Sequence, residues 1–259
     1  MREKIMCKAV FLTSSPDASY QADGTWVTGP FTEKNGFLER FRKACSSEPD
    51  VLLITATPDE REKNQEMKEY FTKVFAASRI PIKTIRLLER STKENLGTWL
   101  EAGDVVILGG GHVPTQNRFF QEIGLREKIL RFKGVVMGIS AGSMNCADVV
   151  YAQPEMKGEA ADPQYCRYLK GLGLTGTNIL PHYQMVKDYI LDGLRLMEEI
   201  TYPDSVGREF YALEDGSYIL CAGGKEYLYG NAYRIADGGL TLACRDGGMC
   251  LLKSGKGSL

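Results

Sequence analysis

Short, unbroken apolar runs constrain this chain most. Ala9-Val10-Phe11-Leu12, Val51-Leu52-Leu53-Ile54, Val105-Val106-Ile107-Leu108 and Val135-Val136-Met137 carry no alternating polar positions. A run of that length suits a strand buried on both faces, as in a parallel sheet. Between the runs, apolar residues recur at helical spacing: Phe37, Leu38, Phe41 and Cys45; then Met67, Tyr70, Phe71, Val74 and Phe75; then Leu96 and Leu100; then Phe119, Phe120 and Ile123. Strands alternating with helices predict an α/β fold with a mostly parallel sheet covered on both faces. Lys83 to Leu88 reads as a further strand. Thr57-Pro58-Asp59-Glu60 and Ser91-Thr92-Lys93-Glu94 match capping boxes, which would open helices there. Another helix is expected from about Val186 to Ile200, with Ile190, Leu194, Met197 and Ile200 inward.

The pattern then changes. Apolar or alternating runs between Phe210 and Leu252 are separated by Asp215-Gly216, Gly223-Gly224, Asp237-Gly238-Gly239 and Asp246-Gly247-Gly248. Such runs read as C-terminal β-hairpins finishing the sheet. No linker-like shift in composition interrupts the chain, so residues 1–259 read as one domain.

A formal net charge of −1 gives no electrostatic reason to expect nucleic acid or an anionic membrane as partner. The run Ala9 to Leu12 is too short for a membrane span or a signal core. The seven cysteines are odd in number and form no Cys-x-x-Cys pair, which favours free thiols and a reducing cytoplasm. Neither histidines nor cysteines pair at metal-ligand spacing, so no metal or organic cofactor is expected. Trp26, Phe119 and Phe120 could face a second copy in a homodimer, or belong to the core.

The chemistry is expected at Gly138-Ile139-Ser140-Ala141-Gly142, where a buried strand meets a helix start. Gly-x-Ser-x-Gly at such a junction suits a nucleophile elbow that exposes the Ser140 hydroxyl. It also suits a plain strand–glycine–helix connection. A serine nucleophile needs a base, and the chain has two histidines, His112 and His182. His182, in Leu180-Pro181-His182-Tyr183, follows an apolar run, and loops at the C-terminal ends of such strands gather α/β sites. Gly109-Gly110-Gly111 follows another buried strand. Its backbone N–H groups, at Gly110 or Gly111, could join that of Ala141 in an oxyanion hole. A phosphate-binding turn lacks its usual pattern here.

In this order and spacing, Gly109-Gly110-Gly111, Gly138-Ile139-Ser140-Ala141-Gly142 and Leu180-Pro181-His182-Tyr183 resemble the dipeptidase E and cyanophycinase family of serine peptidases. Tyr211-Ala212-Leu213-Glu214-Asp215-Gly216 resembles that family's C-terminal hairpin region. The resemblance implies a flavodoxin-like, glutamine-amidotransferase-like three-layer α/β fold, with Ser140 as nucleophile and His182 as base. It implies an acid a short way after the serine. The matching position is Glu155, in place of that branch's usual aspartate, with Glu159 and Asp162 as rivals. It also implies a substrate-carboxylate clamp on the helix after the histidine, where Arg195 is the arginine available. His112 stands where the family carries a polar residue after the glycines. Both departures put aspartate specificity in question.

The reading is therefore a cytoplasmic serine peptidase for small peptides, with a Ser140–His182–Glu155 triad. Its rivals are another acyl hydrolase, either an esterase or amidase or a cyanophycinase-like enzyme, and a non-catalytic binding module. The α/β-hydrolase lipases share the order serine, acid, histidine. However, only 42 residues separate Ser140 from His182, too few for the elements those enzymes insert.

Overall fold

The computed structural model describes residues 5–16 and 19–253. The apolar runs become strands β1 (Ala9–Thr13), β2 (Asp50–Ile54), β3 (Thr84–Leu88), β4 (Val105–Leu108) and β5 (Val135–Ile139), all parallel. Alternate strand residues feed two cores, because successive side chains leave opposite faces of a sheet. Phe11, Leu53, Ile107 and Met137 pack with helices α1 (Phe37–Ala44) and α2 (Arg61–Ala77). Leu12, Ile54, Leu108 and Val136 pack on the other face with α3 (Leu96–Ala102), α4 (Val113–Glu122) and α5 (Leu125–Ile129). Phe119 and Phe120 are 1% and 3% exposed, which makes them core residues rather than a partner-facing surface. The side chain of Trp26 lies outside the described residues.

The late hairpins divide between two sheets. After β6 (Asn178–Leu180), β7 (Glu209–Leu213), β8 (Tyr218–Ala222) and β9 (Lys225–Tyr229) come β10 (Ala232–Ala236), β11 (Gly239–Cys244) and β12 (Met249–Lys253). Strands β8, β9 and β12 extend the main sheet antiparallel beyond β1, giving the order β12-β9-β8-β1-β5-β4-β2-β3. The other four form a second sheet, β6-β7-β10-β11, whose first pair is parallel. That sheet contributes Ile179, Leu180, Phe210 and Ala212 to the second core. Among the described residues no helix is long and apolar enough to cross a membrane.

Three local expectations differ. Helix α2 opens at Arg61 without a side-chain cap. Thr57 is drawn instead to Asn64, which accepts from its hydroxyl at 2.9 Å and donates to its carbonyl at 2.9 Å. The second capping box lies two residues earlier than expected, between Glu89 and Thr92, and opens a 3₁₀ turn over Arg90–Asn95. The helix expected over 186–200 is replaced by a single helical turn, Tyr183–Val186, then a hairpin pairing Ile190–Leu191 with Leu194–Arg195, then a π-helical turn over Leu196–Thr201. Asp192-Gly193 explains this: both residues have positive φ, +55° and +84°, as a two-residue type I′ hairpin turn requires. Ile190 consequently faces solvent.

Candidate functional site

Strand β5 ends at Ile139 and the short helix α6 (Ala141–Met144) begins at Ala141, so Ser140 alone makes the turn. Its backbone, φ +50° and ψ −113°, lies where a non-glycine residue is strained and must be held by its surroundings. Three hydrogen bonds hold it. The Ser140 N–H donates to the Thr13 carbonyl at 3.0 Å, and the Ser143 and Met144 N–H groups donate to the Ser140 carbonyl at 2.9 and 3.0 Å. The buried Ser143 hydroxyl braces the same turn from inside, accepting from Thr13 N–H at 2.8 Å. The flanking glycines are there for contact. A Cβ on Gly138 would stand 2.6 Å from Ser143 Cα, and one on Gly142 would stand 2.1 Å from the Leu108 carbonyl oxygen. Because α6 has only one turn, any stabilisation of negative charge here comes from individual free N–H groups and not from a long helix dipole.

Parallel pairing of β6 with β7 brings their following loops together. His182 follows β6 and Pro181, and Asp215 sits in the turn after β7. His182 Nε2 is 3.1 Å from Ser140 Oγ, and His182 Nδ1 is 2.8 Å from Asp215 Oδ1. Ser14, just past β1, ties the two loops. Its hydroxyl donates to Asp215 Oδ1 at 2.6 Å and accepts from His182 N–H at 2.8 Å. Gln184 Nε2 donates to the other carboxylate oxygen at 2.5 Å. Burial works against the Asp215 charge, but the bonds from His182, Ser14 and Gln184 outweigh it and hold its carboxyl below the usual range.

The carboxylate against His182 is therefore that of Asp215, where Glu155 was expected. Glu155 instead lines a cleft of about 480 Å³ that also takes in Gly111, Ser140 and His182. Glu155 keeps solvent exposure, but crowding by the cleft walls, then the neighbouring Glu159 charge, push its carboxyl up against the pull of His182. Glu159 bonds to the other histidine: its Oε1 is 2.8 Å from His112 Nε2, and its Oε2 accepts from the N–H groups of Glu155 and Met156 at 2.9 Å each. Asp162 folds back on its own turn, accepting from Gln164 N–H at 2.8 Å.

The other expected positions are divided. Gly110 lies against Ser140, since a Cβ there would meet Ser140 Cβ at 3.5 Å. Gly111 has φ +148°, and a Cβ on it would stand 2.7 Å from Ala56 Cβ. Ala141 is fully buried behind the turn. His112 occupies the N-cap position of α4 without a side-chain cap bond, its Nδ1 lying 2.8 Å from Thr115 Oγ1, and it is not among the cleft residues. Arg195 lies on the exposed hairpin and is not among them either.

The family model described as Peptidase family S51 matches residues 29–228. The chain belongs to peptidase family S51. It is thus a peptidase of the dipeptidase E type, and the matched span includes Ser140, His182 and Asp215. No curated protein matches. Among solved structures, a peptidase from an acI-B1 Actinobacterium is 12% identical, with 94% of this chain and 96% of that one covered and a TM-score of 0.63. A protein of Listeria monocytogenes EGD-e that carries the name peptidase E on provisional grounds is 18% identical, with 85% and 96% covered and a TM-score of 0.57. At these identities the likeness is one of fold. Asp215 and its partners Ser14 and Gln184 were missed from sequence. The Asp215-Gly216 pair carries an ordinary turn signal, and only strand pairing brings it to His182.

Proposed function

We propose that this S51 peptidase is a serine peptidase of small peptides, with Ser140 as nucleophile, His182 as general base and Asp215 as the acid that orients the imidazole. The observation that carries the reading is the unbroken chain of contacts from Ser140 Oγ through His182 to Asp215, at 3.1 and 2.8 Å. Both distances lie within hydrogen-bond reach, the first for proton transfer from serine to imidazole and the second for orienting the ring. Ser140 attacks the scissile carbonyl carbon as its proton passes to His182 Nε2. The resulting oxyanion accepts hydrogen bonds from the N–H of Ala141 and from that of Gly110 or Gly111. His182 then gives the proton to the leaving amine, and water releases the acyl group by the same route. Asp215 keeps His182 in the tautomer with hydrogen on Nδ1, leaving Nε2 free to accept. The strained backbone of Ser140 supports the reading of this turn as a nucleophile elbow.

The test is dipeptide turnover by the purified protein beside its Ser140→Ala variant. The expected result is turnover that disappears in the variant with the thermal transition unchanged. Equal turnover by both would overturn the mechanism.

A further inference from the structure

The cleft beside Ser140 is chemically one-sided. Its walls are Met144, Pro181, Met185, Val186, Tyr189 and Leu196, and among the described residues lining it there is no lysine or arginine. Met185 and Tyr189 of that lining are exposed, and so are Met156 and Ile190, the chain neighbours of the lining residues Glu155 and Tyr189. Large exposed side chains gathered at one opening mark a ligand-contacting surface rather than scattered surface apolars. Among the described lining residues the one carboxylate is Glu155, with His182 and the Tyr189 phenol the other titratable side chains. The one arginine expected to hold a substrate carboxylate, Arg195, lies on the exposed hairpin made by Asp192-Gly193 and is not among the lining residues.

We propose that the cleft selects peptides with an uncharged apolar residue on the acyl side of the scissile bond and a free amino terminus, the ammonium pairing with Glu155. An aspartyl side chain is rejected there. A carboxylate brought against methionine and leucine walls would lose its water without gaining a cation, and would face the Glu155 charge as well. An ammonium gains a charge-assisted partner in the same place. The assignment rests on Ser140 being the nucleophile. Glu155 acts as a binding residue and takes no part in the proton transfers.

The experiment compares Leu-x, Met-x, Lys-x and Asp-x dipeptides and N-acetyl-Leu-x with the wild-type protein, Glu155→Gln and Met185→Arg. Labelling of Ser140 by a fluorophosphonate serves as a separate readout of the nucleophile. Leu-x and Met-x are expected to give the highest kcat/KM. N-acetylation or Glu155→Gln is expected to raise KM for Leu-x by roughly tenfold or more with a smaller change in kcat, as for loss of a hydrogen bond to a charged group. Met185→Arg is expected to raise Asp-x turnover relative to Leu-x. Labelled Ser140 with Asp-x or Lys-x as the best substrate, or with acetylated and free Leu-x cleaved equally, would overturn the proposal and leave the serine mechanism standing. Neither labelling nor Ser140-dependent cleavage would overturn both.

Discussion

Ser14 and His182 stand 168 residues apart and are joined by one hydrogen bond, His182 N–H to Ser14 Oγ at 2.8 Å. The same hydroxyl donates to Asp215 at 2.6 Å. One small side chain at the end of β1 thereby sets the position of the histidine loop and of the carboxylate that orients its ring. Ser14→Ala removes both bonds and leaves a partly buried N–H unpaired. The expected effect is a fall in kcat of about tenfold, the equivalent of one lost hydrogen bond of ordinary strength, with KM little changed because Ser14 does not line the cleft. Steady-state kinetics on a cleaved dipeptide checks it.

Asp215→Asn should leave the fold intact and lower kcat by roughly 10³- to 10⁴-fold, since an amide stabilises neither the required tautomer nor the imidazolium. Asp162→Asn is the matched control. Its carboxylate serves only a local turn, so turnover should stay near wild type. If the two variants lost activity equally, the assignment of Asp215 would be wrong.

Arg195→Ala tests the separation of the hairpin from the cleft. Arg195 is exposed, and its backbone N–H donates to Glu199 Oε2 at 2.7 Å. That bond survives truncation of the side chain. The expected kcat/KM is unchanged for every dipeptide, including Asp-x.

Glu155 makes stability depend on pH. Although Glu155 is solvent-exposed, crowding in the cleft and the Glu159 charge raise its carboxyl from 4.5 to about 7 on folding, with His182 opposing and Tyr165 nearby. Below pH 4.5 it is protonated in both states and costs nothing. Between 4.5 and 7 the unfolded chain alone is ionised, so stability falls as pH rises, and above 7 the cost is complete. Glu155→Gln should therefore raise the melting temperature at pH 8 by more than at pH 5. Differential scanning calorimetry at the two values measures the difference, and an equal shift at both would contradict it.

Gly142→Ala should destabilise the protein by about 1–3 kcal/mol, because the added Cβ would meet the Leu108 carbonyl oxygen at 2.1 Å and backbone must move. Urea unfolding gives the value. A smaller loss would mean that the turn can separate from β4.

Much of the architecture was legible because the signals are local. The apolar runs at residues 9–12, 51–54, 105–108 and 135–137 became the parallel strands, and the glycine-separated runs after Phe210 became the late strands. The strand–helix turn at Ser140 and the loop position of His182 were legible as well, one from the glycines that the turn needs for close contact and the other from its place after an apolar run. The helix expected over 186–200 failed because its apolar spacing was read past Asp192-Gly193, a pair that turns the chain back as a hairpin.

The carboxylate that meets His182 was beyond reach of the sequence alone. Glu155, Glu159, Asp162 and Asp215 are all carboxylates in polar loops, and nothing in their spacing ranks one above another. Composition, periodicity and turn residues act over a few neighbours, and they determined the strands, the serine turn and the position of the histidine. Which carboxylate meets His182 depends on β6 lying parallel beside β7, on Ser14 at the end of β1, and on Glu159 being taken up by His112. Those are contacts between segments far apart in the chain, and only the tertiary structure decided them.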